Sequence, residues 1–313
     1  MNWKRLAPLV ALTSLSGLCS VAPIGTPQLE ILIPAYFYPT HWNPGTYLWD
    51  DLAVGRSQVP ITAIVNASNG PGVGGPNADY IVGTGDLAAA AVSMVGYVYT
   101  DYGARDAATV RAEIDEWAVN WSGHGVNGIF LDEASTDPAD ITYYEHLYDY
   151  ALAKPEIERV IINPGITTDE LYLSLPAADV VVDFESTYAA WSIHTPGTYA
   201  PNYPDRLAML VHATADTVQM ENAIDLAIAR GTKYVYVTDD TIPPDGNPWD
   251  TLPAFWQAEL DYIEAANASA AVPALPLGAL LVFLGGVSGA AVVLLFFRRD
   301  SPRANSSRWA QTA

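Results

Sequence analysis

The stretch Gly128-Ile129-Phe130-Leu131-Asp132-Glu133 runs from apolar residues straight into two adjacent carboxylates. Hydrophobicity that is continuous, without polar alternation, marks a strand covered on both faces, as parallel strands are. Seven other runs share this character: Ile31–Tyr38, Ile61–Asn66, Ser93–Thr100, Arg159–Asn163, Val180–Glu185, Leu207–Ala213 and Lys233–Thr238. Helical patterns occupy gaps between them, at Asp106–Trp121, Pro138–Ala153, Asp216–Arg230 and Trp249–Ala266. The first carries Val110, Ile114, Trp117 and Trp121 at three-to-four spacing, and Gly231 stands where a helix C-cap belongs. Eight strands alternating with helices predict an α/β fold, a single (β/α)8 TIM-type barrel over residues 23–266. The rival is an open doubly wound sheet, which usually carries a glycine-rich phosphate loop after its first strand. Here Ala35-Tyr36-Phe37-Tyr38-Pro39 occupies that place. The barrel is preferred.

The chain ends read differently. Residues 1–22 fit an export signal: Lys4 and Arg5, an apolar stretch from Leu6 to Leu18, then Ser20-Val21-Ala22 as cleavage site. Cys19, the only cysteine, lies inside it, so the mature protein has no disulfide and no thiol chemistry. Asn267 to Pro276 reads as a linker, and Leu277 to Phe297 is uncharged and long enough to cross a bilayer. Arg298 and Arg299 place residues 298–313 in the cytoplasm and the barrel on the extracellular face of the cell membrane. Val272-Pro273-Ala274-Leu275-Pro276, the apolar span and the arginine pair resemble a prokaryotic tripartite sorting tail, which a sorting peptidase would process. The polar extension from Asp300 to Ala313 departs from that pattern, which favours a plain membrane anchor.

The chain has 35 acidic and 14 basic residues. Six basic residues lie at the ends (Lys4, Arg5, Arg298, Arg299, Arg303 and Arg308), so the body carries a net charge of about −26. Such a body repels nucleic acid and attracts cationic ligands. Simple solubility, or adaptation to high salt, is the alternative reading of the same charge.

In a (β/α)8 barrel the active site lies at the C-terminal ends of the strands. Those ends supply Tyr36 and Tyr38, Asn66, Tyr97 and Tyr99, Asp132 and Glu133, Asn163, Asp183 and Glu185, His212, and Asp239 with Asp240. Carboxylates, amides and aromatic rings at one mouth suit a carbohydrate, whose faces stack on rings and whose hydroxyls need polar partners. Alternation along a strand turns Asp132 inward with Phe130 and sends Glu133 outward, unless the strand has already ended. By the same rule Asp183 and Glu185 share a face. Asp132 and Glu185 stand on strands two apart, so their carboxyls can approach to about 5–9 Å, a window covering both retaining and inverting glycosidases. The five histidines form no paired metal spacing, and nucleophile elbows and phosphate loops are absent. Neither metal nor cofactor is expected.

Several of these segments together resemble the spherulin-4 family (spherulation-specific family 4, glycoside hydrolase family 135-like). They are Ile33-Pro34-Ala35-Tyr36, Ile64-Val65-Asn66 with Asn69-Gly70-Pro71-Gly72, Gly96-Tyr97-Val98-Tyr99-Thr100 with Tyr102-Gly103, Gly128 to Glu133, Asn163-Pro164-Gly165 and Asp183-Phe184-Glu185. The similarity spans about residues 30 to 262. It implies a (β/α)8 barrel, and catalytic acids at Asp132, Glu133 and Glu185. It also implies a substrate like galactosaminogalactan, an exopolysaccharide containing N-acetylgalactosamine. The function expected is therefore hydrolysis of an aminosugar polysaccharide, with Tyr36, Asn66, Tyr97, Tyr99, Asn163, Asp183, His212 and Asp239 binding substrate. A non-catalytic glycan-binding or structural surface protein on the same barrel is the alternative.

Overall fold

The structure, a computed structural model, describes residues 28–271 apart from 176 and 245. The export signal expected at 1–22, the membrane span expected at 277–297 and the tail expected at 298–313 lie outside the described residues. Among the described residues no helix is long and apolar enough to cross a membrane.

Eight strands, β1 (Glu30–Ala35), β2 (Ile61–Val65), β3 (Ser93–Tyr99), β4 (Val126–Asp132), β5 (Arg159–Ile162), β6 (Val180–Thr187), β7 (Leu207–His212) and β8 (Tyr234–Val237), form a closed barrel. Every neighbouring pair is parallel, and β8 returns to β1. The continuous hydrophobicity has its expected cause, since β2, β7 and β8 are buried at every position. Helices fill the crossovers: α1 (Leu48–Gly55), α2 (Ala78–Ala89), α3 (Ala107–Glu116), α4 (Ile141–Leu152), α5 (Leu171–Ser174), α6 (Tyr188–Ile193), α7 (Thr217–Arg230) and α8 (Trp256–Ala271). Asn77, Asp106, Thr187 and Asp216 cap α2, α3, α6 and α7 by accepting backbone N–H groups, each contributing about 1 kcal/mol. Gly231 closes α7 in the left-handed conformation.

Three boundaries differ from expectation for local reasons. The α-helix expected to reach Trp121 stops at Glu116, and a π turn, Trp117–Trp121, follows. That turn sets both buried indoles against the barrel, 4.6 Å apart, with Trp117 lying directly on Gly96. A Cβ at Gly96 would fall 2.2 Å from the Trp117 ring, so β3 must have glycine there. The last helix begins at Trp256, not Trp249, because Pro253 lacks the N–H that a helix interior requires. It also continues through the first part of the expected linker, to Ala271. Asn267 holds this extension by pairing through its amide with both the N–H and the carbonyl of Leu29.

The closure between β8 and β1 is short, with only two paired positions, Glu30 with Tyr234 and Ile31 with Val235. Beyond it the Val237 N–H donates instead to Glu259 of α8 at 2.9 Å. Glu259 is fully buried, and burial pushes its carboxyl well above the usual range, so it sits there as the neutral acid. Glu259→Leu should therefore lower the unfolding free energy by about 1–3 kcal/mol, the cost of an orphaned buried N–H. Glu259→Gln should fold normally. The folded state holds this proton more tightly than the unfolded state, so wild-type stability is full below the ordinary value of 4.5 and declines as pH rises toward the folded value. Urea midpoints from about pH 5 to about pH 8 should shift increasingly in favour of the glutamine variant; a constant gap would contradict this.

Candidate active site

Consecutive strands deliver the polar side chains in turn to the C-terminal mouth of the barrel. Asp132 is the last residue of β4, Asn163 follows β5, Glu185 lies in β6 and His212 ends β7. The Asn163 side chain joins the first and third of these. Its Nδ2 donates to Asp132 Oδ1 at 2.7 Å and to Glu185 Oε2 at 2.5 Å. The NH2 end of an amide carries two N–H donors, one for each carboxyl group. Two oxygens bonded to one nitrogen at those distances lie within about 5 Å of each other. Asn163 Oδ1 is buried and has no protein partner.

Backbone pairing fixes that amide. The Asn163 N–H donates to the Leu131 carbonyl, and its carbonyl accepts from Ala134, both at 2.8 Å. Two residues on, the Gly165 carbonyl accepts the Glu185 N–H at 2.8 Å. Gly165 has φ +68°, and a Cβ there would lie 3.6 Å from Glu185 Cβ, so glycine suits both the turn and the close approach. The loop is thus tied to β4 on one side and to β6 on the other.

Glu133 leaves the strand in the left-handed conformation, φ 50°. The strand has ended, and instead of turning outward by alternation Glu133 lines the same cavity as Asp132 and Glu185. A neighbouring turn matches it: Asp101 and Tyr102 have φ 49° and 52°. Left-handed backbone costs such residues roughly 1–2 kcal/mol each, and a dense network holds it. Thr100 N–H donates to the Asp132 carbonyl at 2.9 Å and Tyr102 N–H to the Glu133 carbonyl at 2.7 Å. The Thr100 hydroxyl sits 2.9 Å from both carbonyls and from the Tyr144 hydroxyl, whose oxygen also accepts the Ser135 N–H. The strained turn presents the exposed Tyr102 at the cavity rim.

The cavity measures about 430 Å³. His212 and Trp249 complete its wall, edge to face at 5.9 Å. Trp249 Nε1 donates to Glu185 Oε1 at 3.2 Å, so each Glu185 oxygen has one donor. Burial lowers the pKa of His212, whose Nδ1 has no protein partner.

The electrostatics separate the two bridged acids. Burial, then the nearby Asp132 charge, pushes Glu185 up to about 7, against the lowering effect of Asn163 and Trp249. Asp132 is also raised by burial, but Tyr97, the Glu133 N–H and Asn163 all favour its charged form. One buried charge with three donors beside another with two leaves the shared proton on Glu185. Glu133 is raised by partial burial and by Asp132 and Asp101.

The remaining sequence candidates divide. Tyr36 and Tyr97 meet edge to face at 5.7 Å, and both hydroxyls are raised by burial and by the adjoining Asp132 and Glu185. Neither these two nor Asn66, Tyr99, Asp183 and Asp239 are among the residues lining the cavity. Asn66 turns its amide oxygen to the Gly70 N–H, and Tyr99 lies under the Arg105 guanidinium at 3.9 Å. Asp239 accepts the Ala254 N–H. Asp183 fails the expected alternation because the β6–β7 register slips between Val182 and Phe184, leaving Asp183 as an extra residue. Its carboxylate accepts from the Tyr199 and Thr167 hydroxyls and does not join Glu185. Among the cavity residues that the sequence reading did not single out are Trp249 and Tyr102. Trp249 was hidden in an expected helix, although an aromatic between Pro248 and Pro253 after the last strand is a legible loop signal. Tyr102 depends on backbone strain, which composition does not announce.

A closed parallel barrel with paired acids at its C-terminal mouth belongs to the class of TIM-type barrels that glycoside hydrolases use. Residues 30–263 match the profile of spherulation-specific family 4, and the chain belongs to that family. It is 32% identical to Spherulin-4 of Physarum polycephalum over 248 residues, covering 76% of this chain and 71% of the relative. Among solved structures it is similar to Aspergillus clavatus Sph3 in complex with GalNAc, at TM-score 0.64 and 26% identity, covering 76% of this chain and 98% of that one. An endo-1,4-beta-mannanase from Rhizomucor miehei shares the fold at TM-score 0.54 and 10% identity, over 77% and 95% of the two chains.

The bridge makes opposite predictions for two substitutions. Asp132→Asn removes a neighbouring negative charge and should lower the Glu185 pKa from about 7, whereas Asn163→Leu removes a donor and should raise it. Carboxyl-carbon NMR titration of glutamate-labelled protein measures both. Shifts of the same sign, or none, would contradict the shared-amide geometry.

Proposed function

We propose that the protein is an extracellular glycoside hydrolase that cuts within an exopolysaccharide containing N-acetylgalactosamine or galactosamine. The observation that carries the reading is the single Asn163 amide bridging Asp132 and Glu185. Retaining glycosidases hold their carboxyls about 5–5.5 Å apart, and inverting ones need about 6.5–9.5 Å to admit a water between. Glu185, protonated up to about pH 7, gives its proton to the glycosidic oxygen as the bond from that oxygen to the anomeric carbon breaks. Asp132, kept ionised, stabilises the positive charge developing at the anomeric carbon or attacks it. Water then enters against that carbon, Glu185 takes the water's proton, and the acid form is restored. On an N-acetylated sugar the substrate's own amide oxygen can attack instead, with Asp132 holding the amide N–H. Either route uses two displacements and retains the anomeric configuration.

The other cavity groups suit a sugar. Asn163 Oδ1 and His212 Nδ1, both buried and unpartnered within the protein, are free to meet hydroxyl or amide hydrogens. Tyr102 and Trp249 offer ring faces or edges for the apolar side of a pyranose. Glu133, repelled by Asp132, tunes the pair. The aminosugar preference draws support from the relative crystallised with GalNAc and from the acidic body, which favours any unacetylated, cationic units. Export and tethering at the outer membrane surface rest on residues 1–22 and on Leu277 to Phe297 with Arg298 and Arg299.

On an N-acetylgalactosamine polymer, Asp132→Asn and Glu185→Gln should each lower kcat by about 10³-fold or more with Tm unchanged. Wild-type kcat/KM should fall as pH rises through about 7, where Glu185 loses its proton. New reducing ends and thermal melts measure both effects. Undiminished turnover in the two variants would discard the assignment, and polymer binding with no reducing ends from the wild type would favour a non-catalytic binder.

A further inference from the structure

The β1–α1 loop carries a second aromatic surface on the same face of the barrel. Trp42 is 60% exposed and Tyr38 is 43% exposed, with ring centroids 6.1 Å apart. Exposed rings of that size side by side call for an explanation. They are firmly mounted. Tyr38 packs edge to face on Tyr80 at 5.4 Å, and Tyr80 in turn meets the buried Trp49 and Trp121 at 5.8 and 5.6 Å. The Tyr38 hydroxyl donates to Asp79 Oδ2 at 2.5 Å and accepts from Asn77 Nδ2 at 3.0 Å, while His41 Nε2 lies 3.2 Å from Asp79 Oδ1 and its ring stands edge-on to Trp42 at 5.3 Å. The Asp79 side chain is 31% exposed, and a carboxylate with one contact on each oxygen still has a lone pair open on both. The result is a rigid ring face bordered by acceptors, the arrangement that binds a pyranose by its C–H face and its hydroxyl or N–H edge.

Its position supplies the occupant. A single residue separates Tyr38 from Tyr36, and Tyr36 stands beside Asp132 and Glu185. The shelf is built on the β1–α1 loop and the start of α2, so it opens at the same C-terminal end of the barrel as the cleavage cavity. The Asp79 edge and the acidic body both suit a hexosamine, whose amide or ammonium hydrogens are donors.

We propose that Trp42 and Tyr38, with Asp79 and His41, form a secondary subsite that binds a hexosamine unit of the same glycan chain, away from the bond being cut. This deepens the proposed function and rests on it. The subsite adds affinity only for chains long enough to span cavity and shelf, and it acts through binding rather than through the chemistry.

The test uses the full chain carrying Glu185→Gln, which holds substrate uncleaved, with and without Trp42→Ala or Trp42→Phe. Binding of N-acetylgalactosamine disaccharide, longer oligosaccharides and polymer is measured by calorimetry, alongside sedimentation and cleavage by the wild type. Trp42→Ala should weaken polymer binding roughly tenfold, the size of a good ring contact, while disaccharide binding changes less than about twofold. Trp42→Phe should restore part of the loss. Equal effects on disaccharide and polymer, or none on either, would overturn the subsite while wild-type cleavage upheld the proposed function. A change in self-association without a change in glycan affinity would assign the shelf to a second copy of the chain and likewise overturn it. Failure of the wild type to bind or cleave any of these glycans would overturn the proposed function, and the subsite with it.

Discussion

One amide nitrogen donates to two carboxyl groups that the barrel would otherwise drive apart. Two buried carboxylates this close repel strongly in a medium less polarisable than water, and removing them from water is costly in itself. The Asn163 NH2 group offsets part of both costs, and a proton retained on Glu185 offsets most of the rest. The asymmetry follows from the count of donors. Tyr97 and the Glu133 N–H favour charge on Asp132, while Glu185 has only Trp249 besides the shared amide. Environment has thus divided one pair of similar acids into a base form and an acid form.

The fold around this bridge is arranged to keep it in place. β4, β5 and β6 are adjacent in a closed parallel sheet, so their C-terminal ends cannot separate without breaking ladder pairs. The Asn163–Gly165 turn is stitched to both neighbours through backbone bonds, which leaves the amide little freedom. Left-handed backbone at Asp101, Tyr102 and Glu133 is concentrated in two abutting loops, where the Thr100 hydroxyl binds the Asp132 and Glu133 carbonyls and is itself held by the Tyr144 hydroxyl. Strain of this kind persists only where surrounding contacts over-determine the geometry. Here it places Glu133 and Tyr102 at the cavity while Asp132 remains on the strand.

Much of the architecture was legible because it depends on patterns that burial imposes directly. Continuous apolar runs exposed the eight strands, and the polar residue ending each run located the mouth. Asp132, Asn163 and Glu185 were visible as strand-end residues for that reason. Polar ends alone did not reveal which would converge. Asn66, Tyr99 and Asp239 end strands too, but local partners absorb them: a loop N–H, a guanidinium and a helix-start N–H. Side-chain alternation failed where the backbone departed from the regular pleat, at the register slip beside Asp183 and at left-handed Glu133. Trp249 was missed because helical periodicity was read across Pro253. These are features of backbone geometry, which a residue pattern encodes only weakly.

The stereochemistry of the first-formed product probes the bridge most directly, because it reports the separation of the two acids during turnover. Proton NMR of the reducing-end anomeric signal, recorded before mutarotation on an N-acetylgalactosamine polymer incubated with the protein, distinguishes the outcomes. Carboxyls held by one amide leave no room for an interposed water, so the new end should appear with the anomeric configuration of the bond that was cut. Appearance of the opposite anomer first would mean that water attacks between well-separated acids, and the shared-amide account would be wrong.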